Sequence, residues 1–163
     1  MVIGHGRHGK DTVGELLQSI FFLPFKSSSQ ACSELFIFDT LRVANGYNTP
    51  EECYEDRHNH REEWFKLISD FNKPDYTRLA RAIYAENEIY VGMRNIDELR
   101  AVQKYYGTCM HTVWVDASRR LPLEDKASMN IPKEMADSII DNNGGHDSLR
   151  TKVISWAVKH AIV

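Results

Sequence analysis

The chain opens on a short apolar run, Met1-Val2-Ile3, and breaks at once into glycine, histidine and charge from Gly4 to Asp11. Apolar residues then return at helical spacing. Val13, Leu16, Leu17 and Ile20 predict a helix from Gly9 to about Phe22, which Pro24 ends. A short strand is expected near Phe25-Lys26. Ser27-Ser28-Ser29 supplies hydroxyls for a helix start, and Leu35, Phe36, Phe38 and Leu41 mark a helix over about Gln30 to Val43. After the turn Asn45-Gly46-Tyr47-Asn48, another helix opens with Thr49 as N-cap, Pro50 at the first helical position and Glu52 at the reciprocal capping position. Its polar stretch through Arg61 turns apolar at Trp64, Leu67, Ile68 and Phe71, until Asn72-Lys73-Pro74-Asp75 breaks it.

Leu79, Ala82 and Ile83 predict a helix over about Tyr76 to Glu86, and Glu88 to Gly92 reads as a strand. Asn95 caps a helix from Ile96 to Tyr106, with Glu98 as its reciprocal partner. His111 to Asp116 is the next strand. Ser118 to Pro132 is polar, punctuated by Pro122 and Pro132, and leaves the core. Ser138 to Asp141 is a last strand, Asn142 to Gly145 a turn, and Asp147 the cap of a helix running to the end of the chain. Strands alternating with helices predict a parallel sheet covered on both faces. Ligands of such sheets sit beyond the carboxyl ends of the strands. That edge gathers Gly4 to Thr12, Ser27 to Ser29, Arg94 and Asp116 to Arg120 into one site.

Composition changes this picture little. The 163 residues suit one domain, and 42% hydrophobic with 26% charged residues is ordinary for a globular protein. A net charge of −3 gives no reason to expect a nucleic acid polymer or an anionic membrane as partner. No apolar run approaches the roughly 18 residues that cross a membrane. Cys32, Cys53 and Cys109 form no metal-ligand pattern and suit a reduced cytoplasm.

The chemistry lies at the beginning. Gly4 to Lys10 has the G-x-x-x-x-G-K spacing of a phosphate-binding loop. Its backbone N–H groups can line a concave anion site, the following helix adds its positive dipole end, and Lys10 supplies a point charge for the outer phosphates. The usual motif continues with a Ser or Thr whose hydroxyl holds Mg²⁺; here Asp11 stands there and Thr12 follows. Farther on, Arg57 and Arg61 lie four apart, on the side of a helix that Trp64 and Ile68 continue inward. They are read either as a grip on an acceptor phosphate or as part of a solvated charged face.

With these pieces in place, the chain resembles the nucleoside monophosphate kinases of the P-loop class, and most closely the deoxynucleoside monophosphate kinases of bacteriophages. Gly9-Lys10-Asp11-Thr12, Val91-Gly92-Met93-Arg94-Asn95 with Glu98, Val115-Asp116-Ala117-Ser118-Arg119 and Asp137 to Gly144 carry the likeness. It implies a three-layer α/β P-loop NTPase fold in a single domain over 1–163, with substrate-side helices at about 49–87 and a small lid at about 118–133. It further implies transfer of the γ-phosphoryl group of ATP to a deoxynucleoside 5′-monophosphate (dNMP), with Mg²⁺ as cofactor.

On that likeness Lys10, Arg94 and Arg119 are the catalytic cations. Gly4, Gly6, Arg7, His8, Gly9, Lys10, Asp11, Thr12, Arg119 and Asn143 meet the ATP phosphates and adenine. Ser27, Ser28, Arg57, Arg61, Trp64 and Arg94 meet the acceptor. The family commonly carries an aspartate for the metal two residues before the arginine; this chain has Gly92, which leaves Asp11 as the expected carboxylate near Mg²⁺. The expected partner is a small nucleotide, a homodimer is left open, and the expected location is the cytoplasm, that of the host if the chain is phage-encoded. Two rivals stand beside this: a kinase of another small phosphorylated acceptor such as dephospho-coenzyme A, and a nucleotide-binding protein of weak catalysis.

Overall fold

The structure, a computed structural model, describes residues 1–160 of the 163. Five short strands, β1 (Val2–Ile3), β2 (Phe25–Ser27), β3 (Ile89–Val91), β4 (Val113–Asp116) and β5 (Ser138–Asp141), form one sheet in the order β2-β3-β1-β4-β5. Every pairing is parallel, with Val2 opposite both Val91 and Val113, and Ser27 opposite Val91. The predicted strand positions and the parallel arrangement therefore hold.

Alternation along the strands divides the core in two. Val2, Ile89, Val91, Val113, Val115 and Ile140 pack with Val13, Leu16 and Leu17 of α1 (Lys10–Phe21) and with Leu149, Val153 and Ala157 of α8 (His146–Lys159). Their neighbours Ile3, Tyr90 and Trp114 point the other way, into a cluster with Ile37, Leu41, Trp64, Leu79, Ile83, Leu99 and Val102. Helices on both faces give three layers, which is why the strands read as continuous apolar runs.

The second face carries most of the helical chain. A helix from Ser28 to Asn45 contains α2 (Ser28–Cys32) and α3 (Phe38–Asn45), joined by a π-helical stretch at Ser33–Ile37. Next come α4 (Pro50–Asp56), α5 (Arg61–Asn72), α6 (Arg78–Tyr84) and α7 (Ile96–Tyr106). The Thr49 hydroxyl accepts from the Glu52 N–H at 3.2 Å as its sequence predicts, while the Glu52 carboxylate reaches the N–H of Asn48, one residue earlier than a capping box requires.

Several expectations need correction. The predicted continuous helix from Thr49 through Phe71 is broken at residues 57–60. Local bonds favour the break: Asp56 accepts from the Asn59 side chain, and the Arg57 guanidinium donates to the Tyr54 carbonyl at 2.6 Å, closing off α4. Gly145, not Asp147, is the N-cap of α8; Asp147 sits in its first turn. The predicted run of that helix beyond His160 lies outside the described residues.

Glu98 is the most consequential difference. Asn95 accepts from the N–H groups of Asp97 and Glu98, yet no reciprocal bond forms. Instead the Glu98 carboxyl lies at the edge of the core, where burial pushes it up to about 7, with the Asn72 amide nearby opposing the shift. Asn72 is fully buried and has no well-formed hydrogen bond of its own.

A carboxyl whose folded value is raised favours the native state below its ordinary value, and that contribution is lost as pH rises through the folded value. Stability should therefore fall between about pH 4.5 and 7 through Glu98. Glu98→Gln should show a shallower fall over that window and a gain on the order of 2 kcal/mol at pH 8. Urea denaturation of both proteins at pH 5 and pH 8 measures it; identical pH slopes would show that Glu98 ionises freely.

Candidate active site

The segment between β1 and α1 turns back on itself through left-handed residues, Arg7 at φ 63° and Gly9 at φ 91°. A side chain at Gly9 would also collide with Asn142, whose Nδ2 would lie 2.3 Å from the added Cβ. Sequence spacing and backbone geometry thus agree on a tight loop that delivers the chain into the N-terminus of α1.

Lys10, the first residue of that helix, is buried, and its Nζ donates to the His5 carbonyl at 2.7 Å. Burial, then the nearby charge of Arg94, lower its ammonium to about 8, against the attraction of Asp11 and Glu124. The lysine therefore spans the loop from below as a partly desolvated cation.

Two histidines and an asparagine hold the loop in shape. His8 is completely buried; its Nδ1 accepts from the Ala117 N–H at 3.2 Å and its Nε2 lies 3.2 Å from the Pro122 carbonyl. A carbonyl can only accept, so the hydrogen of this imidazole is on Nε2. His5 Nδ1 accepts from the Glu124 N–H at 3.1 Å, and burial, followed by the cationic neighbours, holds His5 below its ordinary value. Asn142 donates to the His8 carbonyl at 2.8 Å. His8, expected at the ATP phosphates, instead ties the loop to the segment after β4; it is a brace.

Arg94 follows β3 and reaches the same place. Its Nη1 donates to Glu124 Oε1 at 2.7 Å, while Glu124 Oε2 accepts from the Gly6 N–H. The salt bridge alternatives for Arg94 at Asp97 and Glu98 are not the ones formed. Arg119 lies farther out, with its guanidinium donating to Asp141 at 3.1 Å and its N–H to Asn143 Oδ1 at 2.8 Å. Asn143 in turn donates to the Asp116 carbonyl and the Asp141 carboxylate. Lys152, then Asn143 and Arg119, hold the Asp141 carboxyl well below the usual range. Asp116 is kept at about 2, against its own burial, by Lys133 and Ser118. The ends of β4 and β5 are thus one charged network beside the loop.

The ends of β2 and β3 adjoin as well. Ser27 caps α2, accepting from the Gln30 N–H at 3.2 Å, and Ser28 donates to the Gly92 carbonyl at 3.2 Å. Both hydroxyls are engaged within the protein. Gly92 has φ 100°, and a Cβ there would stand 3.0 Å from the Ser28 hydroxyl. An aspartate at this position would be strained in this backbone.

The acceptor-side residues are less well assembled than their spacing suggests. Arg57 ends α4 with its guanidinium 3.8 Å from the centre of the Tyr54 ring, whereas Arg61 begins α5 and is exposed. They do not share a helix face. Trp64 is 5% exposed and packs in the core, so its indole offers no free face for a base. Asp11 stands exposed in the first turn of α1, with Thr12 beside it half-buried.

Glu124 is the site residue that the sequence did not reveal. It lies in a polar stretch with Asp125 and Lys126, and nothing in its spacing sets it apart from a solvated acid. The burial of His8 and Asn142 was equally hidden, because their partners lie more than 100 positions away.

No protein-family model matches the chain, and no curated protein matches it. Among solved structures it is similar to the crystal structure of TT1252 from Thermus thermophilus, at 14% sequence identity and a TM-score of 0.51, over 98% of this chain and 95% of that one. At that identity the likeness bears on the fold alone, and it extends over nearly the whole of both chains.

Proposed function

We propose that the chain is a P-loop kinase transferring the γ-phosphoryl group of ATP to the phosphate of a dNMP, with release of ADP and a dNDP. Two groups suited to phosphate, the Gly6 N–H and the Arg94 guanidinium, donate to a single anion, the Glu124 carboxylate, and the buried Lys10 adds its charge nearby. That convergence supports the proposal best. A helix N-terminus alone would not.

In the reaction, an oxygen of the acceptor phosphate forms a bond to the γ-phosphorus as the bond to the β-phosphate oxygen breaks, and ADP leaves with the electron pair. The transition state spreads charge over the transferring oxygens, so the protein's part is alignment and positive charge. Lys10 and the loop amides hold the donor end. Arg94, at the end of the neighbouring strand, is placed to serve the transferring group, and Arg119 the outer face under the 118–133 segment. Asn143 and Arg119 are the residues proposed to meet adenine, and Arg61, exposed at the start of α5, is the cation proposed for the acceptor side.

Mg²⁺, when bound, would supply positive charge to the phosphates. Asp11 is the carboxylate placed to hold it, directly or through water. Among the described residues no group of three His, Cys, Asp or Glu side chains is arranged for a metal. Mg²⁺ is commonly held largely by substrate phosphates and water.

Gly92 gives a second reading some weight: without an acid there, the chain would bind nucleotide and turn it over weakly. A coupled ADP-release assay with ATP, Mg²⁺ and a panel of dNMPs, NMPs and dephospho-coenzyme A separates the readings. ADP production dependent on a dNMP is the expected result; nucleotide binding without acceptor-dependent turnover would favour the second.

Lys10→Ala should lower acceptor-dependent turnover by on the order of 10³-fold, because charge stabilisation within such a cradle is large. Circular dichroism should show the fold retained, and near-normal turnover would rule the lysine out. Since Lys10 loses its charge above about 8 in the free protein, kcat/KM for ATP should decline above that pH, approaching about tenfold per unit. Arg61→Ala should raise the KM for the dNMP and leave that for ATP unchanged; equal weakening of both substrates would exclude an acceptor-side role.

A further inference from the structure

Glu124 holds the place that the proposed site would give to a phosphate group. Its carboxylate accepts from the Gly6 N–H through Oε2 and from Arg94 Nη1 at 2.7 Å through Oε1. A Cβ added at Gly6 would lie 2.8 Å from Oε1, so the carboxylate rests directly against the loop. Burial works against its charge, yet Arg94, the Gly6 N–H and Lys10 together keep the carboxyl below its ordinary value. These are the same three groups that would meet a triphosphate.

The segment carrying Glu124 is fastened at both sides of it. The Glu124 N–H donates to His5, Pro122 accepts from His8, and the Ala117 N–H donates to His8. Arg94 also approaches the Ser128 carbonyl at 3.4 Å. The carboxylate is therefore not a side chain that happens to swing past; backbone contacts hold its segment over the loop.

We infer that Glu124 is an internal anion that occupies the phosphate cradle in the unliganded protein and must be expelled by the incoming nucleotide. This rests on the phosphate-loop reading above and adds a regulation to it. An unliganded cradle of amides, lysine and arginine carries uncompensated positive charge, and the carboxylate neutralises it. Two anions cannot share those donors, so phosphate binding and release of the Glu124 carboxylate are one event. The free Arg94 that phosphoryl transfer needs exists only after that release. The occluded state lowers apparent affinity by the fraction of molecules that are open.

The test compares wild type, Glu124→Gln and Glu124→Ala by isothermal titration calorimetry with inorganic tripolyphosphate and with ADP, without Mg²⁺, using adenosine as an uncharged control. If about nine molecules in ten are occluded, both variants should bind tripolyphosphate about tenfold more tightly than wild type, with adenosine binding unchanged. Thermal melts identify any variant that fails to fold, and the two substitutions back each other in that event. Variants that bind tripolyphosphate no more tightly than wild type would overturn the inference while leaving the phosphate loop intact. Tripolyphosphate bound by none of the three proteins would overturn both.

Discussion

A loop of backbone amides with a buried ammonium beneath it is electrostatically unfinished, and the site is arranged around that condition. The Gly4–Gly9 turn presents the Gly6 N–H to Glu124 and leads into Lys10, which water reaches poorly. Such a cradle gains from any anion of the right reach. In this structure a carboxylate of the same chain supplies it, brought in by a segment that His5 and His8 secure. Charge compensation thus couples two segments more than 100 residues apart, and Arg94, in the loop after β3, closes the circuit.

The parallel sheet makes this possible. Because β1, β3 and β4 lie side by side and run the same way, the residues that follow each of them emerge at one edge. The Gly4–Gly9 loop, Gly92 to Arg94 and Asp116 to Arg120 are neighbours for that reason. The helices on the second face, from Ser28 to Tyr84, follow β2 and extend the chain beyond the same edge.

Much of the frame was legible from the sequence. Short apolar runs in the strands, three-to-four-residue spacing in α1 and α6, and caps at Thr49 and Asn95 each express local physics. Those elements appear where the pattern placed them. Local rules failed where a side chain had two competing partners. Glu98 could have reached back to its helix start, but the core edge took it. Arg57 could have continued a helix to Arg61, but it closed off α4 on the Tyr54 carbonyl. Trp64 is expected at the acceptor on the family likeness, yet its large ring packs in the core.

By itself, then, the sequence determined the order of strands and helices, the parallel sheet, and the glycine-lysine loop at the first turn, since periodicity, caps and positive-φ demands act over a few residues. Tertiary structure alone decided which charges meet. Whether Arg94 pairs with Glu98 or Glu124, whether His8 faces a ligand or braces a loop, and whether an aspartate could stand at Gly92 depend on chain segments brought together across the sheet. Hydrogen bonds over such separations leave no periodic trace. They follow from which strand ends adjoin, and that is a property of the assembled sheet.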